Sequence, residues 1–248
     1  MAVQEQRLIS SADYRIGAIL SETFRVLASS PAKYLGIAAI SAIPTVIGYL
    51  LVGFSALTPA AGGAAGWVVM LAAMVCALIA QAIITFGAFE SLRGRGFDVG
   101  HAVSNVFTRM AAIALLSLAL GLLVTFGMVL LLVPGLILMC MYFVSVPVCV
   151  VERADFRECF ARSRKLTSGY RWKILGQVAS IAIPLYILIF LVTYTTIKSG
   201  NPLVGLWIGK AFGIFIAATM SILSAVTYFR LRNLQEGVDL ERIAAVFE

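Results

Sequence analysis

The chain contains few residues capable of acid–base or nucleophilic chemistry. Its single histidine, His101, lies just after Asp98 in a short polar segment, a setting typical of a surface histidine. No serine has the histidine and carboxylate partners that activate a hydroxyl nucleophile. The segment Arg93–Gly96 is too short to be a phosphate-binding loop. The sequence therefore predicts no catalytic residue, and we expect that the protein is not an enzyme.

The four cysteines give no metal or disulfide signature. Cys76, Cys140 and Cys149 lie inside apolar stretches, Cys159 lies in a charged segment, and no two have C-x-x-C spacing. An isolated free cysteine usually behaves as a small buried hydrophobic residue. We therefore expect buried thiols, no metal site and no cofactor.

Four polar side chains interrupt otherwise apolar segments: Gln81, Glu90, Gln177 and Lys210. Ionisable groups at membrane depth are costly and often mark functional positions. Lys210 can extend its flexible side chain to the nearer interface, pair inside the helix bundle, or line a solute path. These three alternatives stay open from sequence alone.

Glu152 follows an apolar run directly and begins the most charged part of the chain. A carboxylate at a membrane boundary must be solvated or paired. Arg162 is the preferred partner, with Arg109 and Arg153 as alternatives. A structural ion pair between Glu152 and Arg162 is the favoured interpretation, and a functional site is the second one.

The composition indicates an integral membrane protein. Of the 248 residues, 61% are hydrophobic and 12% charged, with a mean hydropathy of +0.98, whereas soluble domains carry about 25% charged residues. The net charge of +7 is placed beside long apolar segments. Anionic lipid headgroups are therefore the expected counter-charge, and nucleic acid is not an expected partner.

The apolar segments predict six transmembrane helices, because a crossing needs about 20 residues. Residues 110–151 contain no charged side chain and at about 1.5 Å per residue are long enough for two crossings. Pro134 and Gly135 are predicted to break the helix between them. The predicted spans are Leu35–Leu57, Trp67–Phe89, Ala111–Leu132, Gly135–Val151, Ile174–Ile197 and Leu203–Phe229.

The distribution of positive charge predicts the orientation. All of the 19 lysines and arginines except Lys198 and Lys210 precede the first span, follow the last, or lie between spans two and three or four and five. Such an excess marks the cytoplasmic side. We therefore expect a multi-pass protein of a bacterial inner membrane, with both termini in the cytoplasm.

The spans form three helical hairpins, each preceded by a short amphipathic helix. Residues 1–248 are predicted to be one membrane domain with related units at about 10–92, 93–152 and 153–230, followed by a C-terminal tail, 231–248. Asp155 and Glu158 have capping-box spacing, and Gly169 is a helix stop. These helices are expected in the headgroup plane, on the ends of the bundle, or both. The third supplies or precedes the candidate headgroup contacts Arg157, Arg164, Lys165, Arg171 and Lys173.

Short motifs carry a family resemblance. Pro134-Gly135, the run Pro147–Glu152, the run Ala161–Ser163, Gly169 and Trp172 together resemble the membrane domain of glycerophosphodiester phosphodiesterases and the YciC-like bacterial inner-membrane proteins. The resemblance covers most of the chain and implies a multi-span module. It implies no hydrolysis, because the soluble catalytic barrel of those enzymes has no counterpart in these residues.

Two functional hypotheses follow. The first is a non-enzymatic inner-membrane protein that acts in membrane organisation, lipid interaction or assembly of a partner complex. The alternative is a transporter or channel for a small or amphiphilic solute. The glycines at Gly205, Gly209 and Gly213 permit close helix packing, either within the bundle or with a second membrane protein or a second copy of the chain.

Overall fold

The computed structural model describes residues 14–52, 59–94, 96–108, 113, 115–116, 118–120, 123–124, 126–127, 132–152, 154–200 and 202–246. These described residues form helices and turns, without strands. The helices are α1 Ile16–Ser29, α2 Pro31–Ile40, α3 Ile43–Val52, α4 Pro59–Leu92, α5 Val99–Phe107, α6 Leu132–Met141, α7 Ser145–Val151, α8 Phe156–Leu166, α9 Arg171–Lys198 and α10 Pro202–Val246.

Four segments are long and apolar enough to cross a membrane: Gly63–Leu92, Val133–Val151, Arg171–Thr196 and Val204–Gln235. Helices α2 and α3, bent by 44°, make a fifth if they are one broken span. The bend follows from Pro44, which has no N–H to donate to the carbonyl of Ile40. The described part of the chain thus has the all-helical character predicted for a membrane protein, with four or five candidate spans.

Half of the third predicted span, Ala111–Leu132, lies outside the described residues, and its described positions are helical. One close approach within it is informative. A Cβ added to Gly127 would lie 3.0 Å from the Cα of Gly135, so the chain around Gly127 packs side by side with α6. This contact is consistent with a hairpin between the third and fourth predicted spans.

The structure places Pro134 and Gly135, the predicted helix break, within α6. Residues 128–131, directly before α6, lie outside the described part of the chain. A turn at residues 142–144 separates α6 from α7. The predicted C-terminal tail, residues 231–248, is helical as far as Val246 and continues α10 without interruption.

Helix α10 lies at the centre of the bundle and packs against α9, α4, α1 and α2. Its inner face is made of small and branched residues, among them Ala218, Ile222, Ala225 and Val226, all fully buried. Of the glycines predicted to permit close packing, Gly205 fits against Thr196 of α9, whereas an added Cβ at Gly209 or Gly213 would meet nothing. Of the close packing predicted for these glycines, the contact at Gly205 is therefore within the bundle, against α9.

The three amphipathic helices α1, α5 and α8 share one arrangement of buried and exposed positions. Each begins after an extended residue: Arg15, Asp98 and Asp155. The fourth and eighth residues after it are buried in every case, as Ile19 and Thr23, Ala102 and Val106, and Cys159 and Ser163. This spacing places the buried residues of each helix on one face, which packs against the rest of the bundle.

Candidate functional site

Glu152 lies at the C-terminal end of α7, where its backbone N–H donates to the carbonyl of Val148 at 2.9 Å. Its carboxylate accepts two hydrogen bonds from Nε of Arg162, at 3.0 Å to Oε2 and 3.3 Å to Oε1. The hydroxyl of Tyr228 donates to Oε1 at 2.8 Å. The side chains of Arg162 and Glu152 are 28% and 18% exposed. The structure therefore brings the sequence-predicted pair together in a partly buried setting.

Tyr228 was not identified from the sequence. It is fully buried on α10, and Nη1 of Arg232 donates to its hydroxyl oxygen at 3.3 Å. The carboxylate of Glu152 thus joins α7, α8 and α10, and both of its oxygens are engaged by protein groups. This arrangement stabilises helix packing, and leaves neither oxygen without a protein donor.

Backbone carbonyls at the break between α6 and α7 are satisfied by side chains from other helices. Pro147 has no N–H for the carbonyl of Phe143, which instead accepts from Ser224 Oγ at 3.0 Å. The carbonyl of Met141 accepts from the hydroxyls of Ser163 and Thr167 at 2.9 and 3.0 Å. A net contribution of about 1 kcal/mol per hydrogen bond is typical. The bonds from Ser163 and Thr167 fix the inner face of α8 to the bundle.

The ends of α8 are defined by its own sequence and by α10. Asp155 and Glu158 form the predicted capping box, with the N–H of Asp155 donating to Glu158 Oε2 at 3.3 Å. Gly169 has φ +82°, as predicted for a helix stop. Gln235 of α10 donates to the carbonyls of Lys165 and Leu166 at 3.3 and 3.0 Å. Helix α8 is therefore held at both ends and along one side.

The other two amphipathic helices are also tied to the bundle by charged or polar pairs. Glu22 of α1 accepts from Arg230 of α10 at 2.7 and 2.9 Å. His101 lies in the first turn of α5, with its Nδ1 3.0 Å from Oε1 of the buried Glu90. The pairing of Glu22 with Arg230 gave no sequence signal, because its partners are far apart in the chain.

The predicted headgroup contacts occupy the outer side of α8 and the start of α9. Arg157, Arg164, Lys165 and Lys173 are exposed, and we call these four side chains the basic face. None of them has a carboxylate partner among the residues that the structure describes. Lys173 Nζ lies 5.9 and 5.7 Å from the ring centroids of Tyr14 and Tyr170. The remaining predicted contact, Arg171, is half-buried.

The intramembrane polar residues have separate environments. Gln177 is fully buried, accepts from the hydroxyl of Tyr14 at 2.6 Å and donates to Thr227 at 2.7 Å. Burial raises the pKa of the Tyr14 hydroxyl above its usual value. Lys210 is exposed on α10, without a carboxylate partner in the described part of the chain. The structure thus brings these predicted polar residues to no common site.

Gln81 lines a cavity of about 400 Å³ between α2, α4, α6 and α10. Its other polar lining groups include Ser41, Tyr142, Ser221 and Ser224, and the rest is mostly apolar. This volume lies within the roughly 300–1,000 Å³ typical of ligand sites. The cavity can therefore accommodate a small or amphiphilic molecule within the apolar part of the bundle.

The described residues contain no group of three histidine, cysteine or carboxylate side chains that could hold a metal ion. All four cysteines are free. A hydrogen bond with the Cys149 thiol, together with burial, raises the pKa of the Cys159 thiol. A raised thiol pKa disfavours the reactive thiolate, so Cys159 acts as a packing residue in this geometry.

Comparisons with known proteins found no matching family model, no similar curated protein and no similar solved structure.

Proposed function

We propose that the protein is a non-enzymatic, multi-pass membrane protein whose basic face binds anionic lipid headgroups. In this proposal the six predicted spans form three hairpins in a bacterial inner membrane, with both termini and the amphipathic helices on the cytoplasmic side. Membrane organisation or assembly of a partner complex would follow from that lipid contact. The observation that carries the proposal is the basic face itself, whose four exposed cations have no carboxylate partner in the described residues.

The support for the basic face is rigid, and this favours binding at a surface. The opposite side of α8 is fixed by Arg162 to Glu152 and by Ser163 and Thr167 to the carbonyl of Met141. Little ordering of the helix itself therefore remains to oppose headgroup contact. Each lysine or arginine near an anionic leaflet contributes about 1 kcal/mol, and the attraction falls off within a Debye length.

Native mass spectrometry of the full-length protein, titrated separately with phosphatidylglycerol and phosphatidylcholine, tests this proposal. We expect more phosphatidylglycerol than phosphatidylcholine to bind. The double variant R164Q/K165Q should reduce that preference, because it removes two cations of the basic face. The matched control K198Q/K210Q removes two cations elsewhere and should leave the preference intact. Equal binding of both lipids by the unaltered protein would refute the proposal.

A second candidate function, carriage of a small or amphiphilic solute, is favoured by the cavity that Gln81 lines. A transport path requires water or solute to reach this cavity from outside the bundle. A Gln81→Cys variant in a Cys76→Ala background should then react with a small, charged methanethiosulfonate reagent in vesicles. Complete protection of the new thiol under conditions that modify a Lys198→Cys variant would argue against a path.

A further inference from the structure

An apolar groove of about 230 Å³ lies between α6 and α9. Leu136, Ile137 and Cys140 line it from α6, and Trp172 and Leu175 line it from α9, with Arg171 as the charged lining residue. We call this the α6–α9 groove. Its volume is below the roughly 300–1,000 Å³ of sites that enclose a whole ligand. It therefore suits part of a long molecule better than a complete small one.

Arg171 is the unusual member of this lining. Its Nε is buried and has no hydrogen-bond partner, and no carboxylate pairs with Arg171 in the part of the chain that the structure describes. A buried donor without a partner is rare and costly. The planar guanidinium presents its donors in a fork that matches phosphate oxygens. The groove thus combines a guanidinium whose Nε has no hydrogen-bond partner with an apolar surface.

The position of the groove fits a membrane boundary. Arg171 is the first residue of α9 and adjoins the basic face, whereas Leu175 lies one turn further into the apolar helix. The indole of Trp172 is 75% exposed beside the groove, and exposed tryptophans are enriched at the interface between lipid tails and water. The charged and apolar parts are therefore ordered as in a phospholipid.

The first and third units have matching helices, but only the third has an arginine followed by a tryptophan at the start of its helix. Gly36 and Pro44 correspond at constant separation to Gly176 and Pro184, and by the same register Pro31 and Ala32 stand where Arg171 and Trp172 stand in the third unit. The first unit therefore offers neither the guanidinium nor the indole.

We propose that the α6–α9 groove is a discrete site for one anionic phospholipid, with the lipid phosphate on Arg171 and an acyl chain along Leu136, Ile137 and Leu175. This site rests on the proposed function, because it requires the basic face to meet a lipid leaflet. It goes further in assigning one lipid molecule to one groove, distinct from diffuse attraction by the exposed cations.

The test uses the full-length protein in detergent and measures the affinity for the first bound phosphatidylglycerol by native mass spectrometry. Arg171→Gln should weaken that first binding step about tenfold, because it removes charge-assisted hydrogen bonds to phosphate. Ile137→Trp should abolish the distinct first step by filling the groove. The matched control R164Q should weaken only later steps, because Arg164 lies outside the groove.

Two further measurements make the result specific. Arg171→Lys keeps the charge but loses the guanidinium fork, and should fall between the unaltered protein and Arg171→Gln. Inorganic phosphate should not compete with phosphatidylglycerol at equal concentration, and equal competition would overturn the assignment to a lipid. Thermal unfolding of each variant identifies any loss of fold, and Ile137→Trp changes a partly exposed residue to limit that loss.

The outcomes separate the two proposals. If the groove variants bind the first lipid as the unaltered protein does, while R164Q/K165Q lowers the lipid preference, the groove site is wrong and the proposed function stands. If neither set of variants alters phosphatidylglycerol binding, both are wrong. A first binding step that is equal for phosphatidylcholine and independent of Arg171 would also overturn the groove site.

Discussion

Glu152 and Arg162 should show a coupling energy in the free energy of unfolding, because the carboxylate of Glu152 joins three helices. Glu152 accepts hydrogen bonds from Arg162 at 3.0 and 3.3 Å and from Tyr228 at 2.8 Å. Exposed ion pairs contribute about 0–1 kcal/mol, and breaking a fully buried pair costs about 3–5 kcal/mol. With side chains 28% and 18% exposed, Glu152→Ala should lower the free energy of unfolding by about 2–3 kcal/mol.

A double-mutant cycle separates the pair from the rest of this effect. Glu152→Ala, Arg162→Gln and the double variant are unfolded in mixed micelles of dodecylmaltoside and increasing sodium dodecyl sulfate, followed by tryptophan fluorescence. The coupling energy should be about 1–2 kcal/mol. Arg164→Gln on the exposed side of the same helix is the control, and should change stability by less than about 0.5 kcal/mol. A coupling energy indistinguishable from zero would refute the stabilising role of the pair.

Three other results are expected. Glu22→Gln should destabilise the protein by about 1–2 kcal/mol in the same unfolding assay, because Nε and Nη2 of Arg230 both donate to Oε2 of the partly buried Glu22; an unchanged midpoint would contradict this. Cys159 should resist N-ethylmaleimide at pH 8 in the folded protein and react after denaturation, because its raised pKa keeps the thiol protonated, and comparable rates in both states would count against it. Gly205→Val should lower the melting temperature more than Gly209→Val, since only the first lacks room for a side chain, and the reverse order would be a contradiction.

Helix positions and buried faces could be predicted because their signal is local. Apolar residues at helical spacing placed Ile19, Thr23 and Cys159 on the inner faces of α1 and α8, where they are fully or almost fully buried. The capping box of α8 and the turn at Gly169 also depend only on neighbouring residues. The partner of Glu152 lay within one helix length, so the sequence identified Arg162.

Other features depend on tertiary packing and gave no local signal. Tyr228 and Arg230 meet partners that are 76 and 208 residues away in the sequence. Pro44 is the second residue of a helix that is bent by 44° from the one before it, whereas Pro184, in a similar Ile-Pro setting, lies inside the continuous helix α9. Contacts with neighbouring helices decide whether a proline in a membrane helix bends the chain or is accommodated in a continuous helix. The sixth span was predicted to end at Phe229 because hydropathy falls there. Helix-forming residues continue beyond that point, and α10 therefore extends to Val246.

The placement of the basic face on one membrane side can be measured directly. Single cysteines replace Arg164 on the basic face and Lys198 at the C-terminal end of α9, each in a Cys76→Ala background. A membrane-impermeant maleimide is then applied to right-side-out and inside-out vesicles of a bacterial inner membrane. We expect the cysteine at 198 to react only in right-side-out vesicles and the cysteine at 164 only in inside-out vesicles. Reaction of both positions from the same side would contradict the proposed membrane arrangement and remove the basis for lipid binding by the basic face.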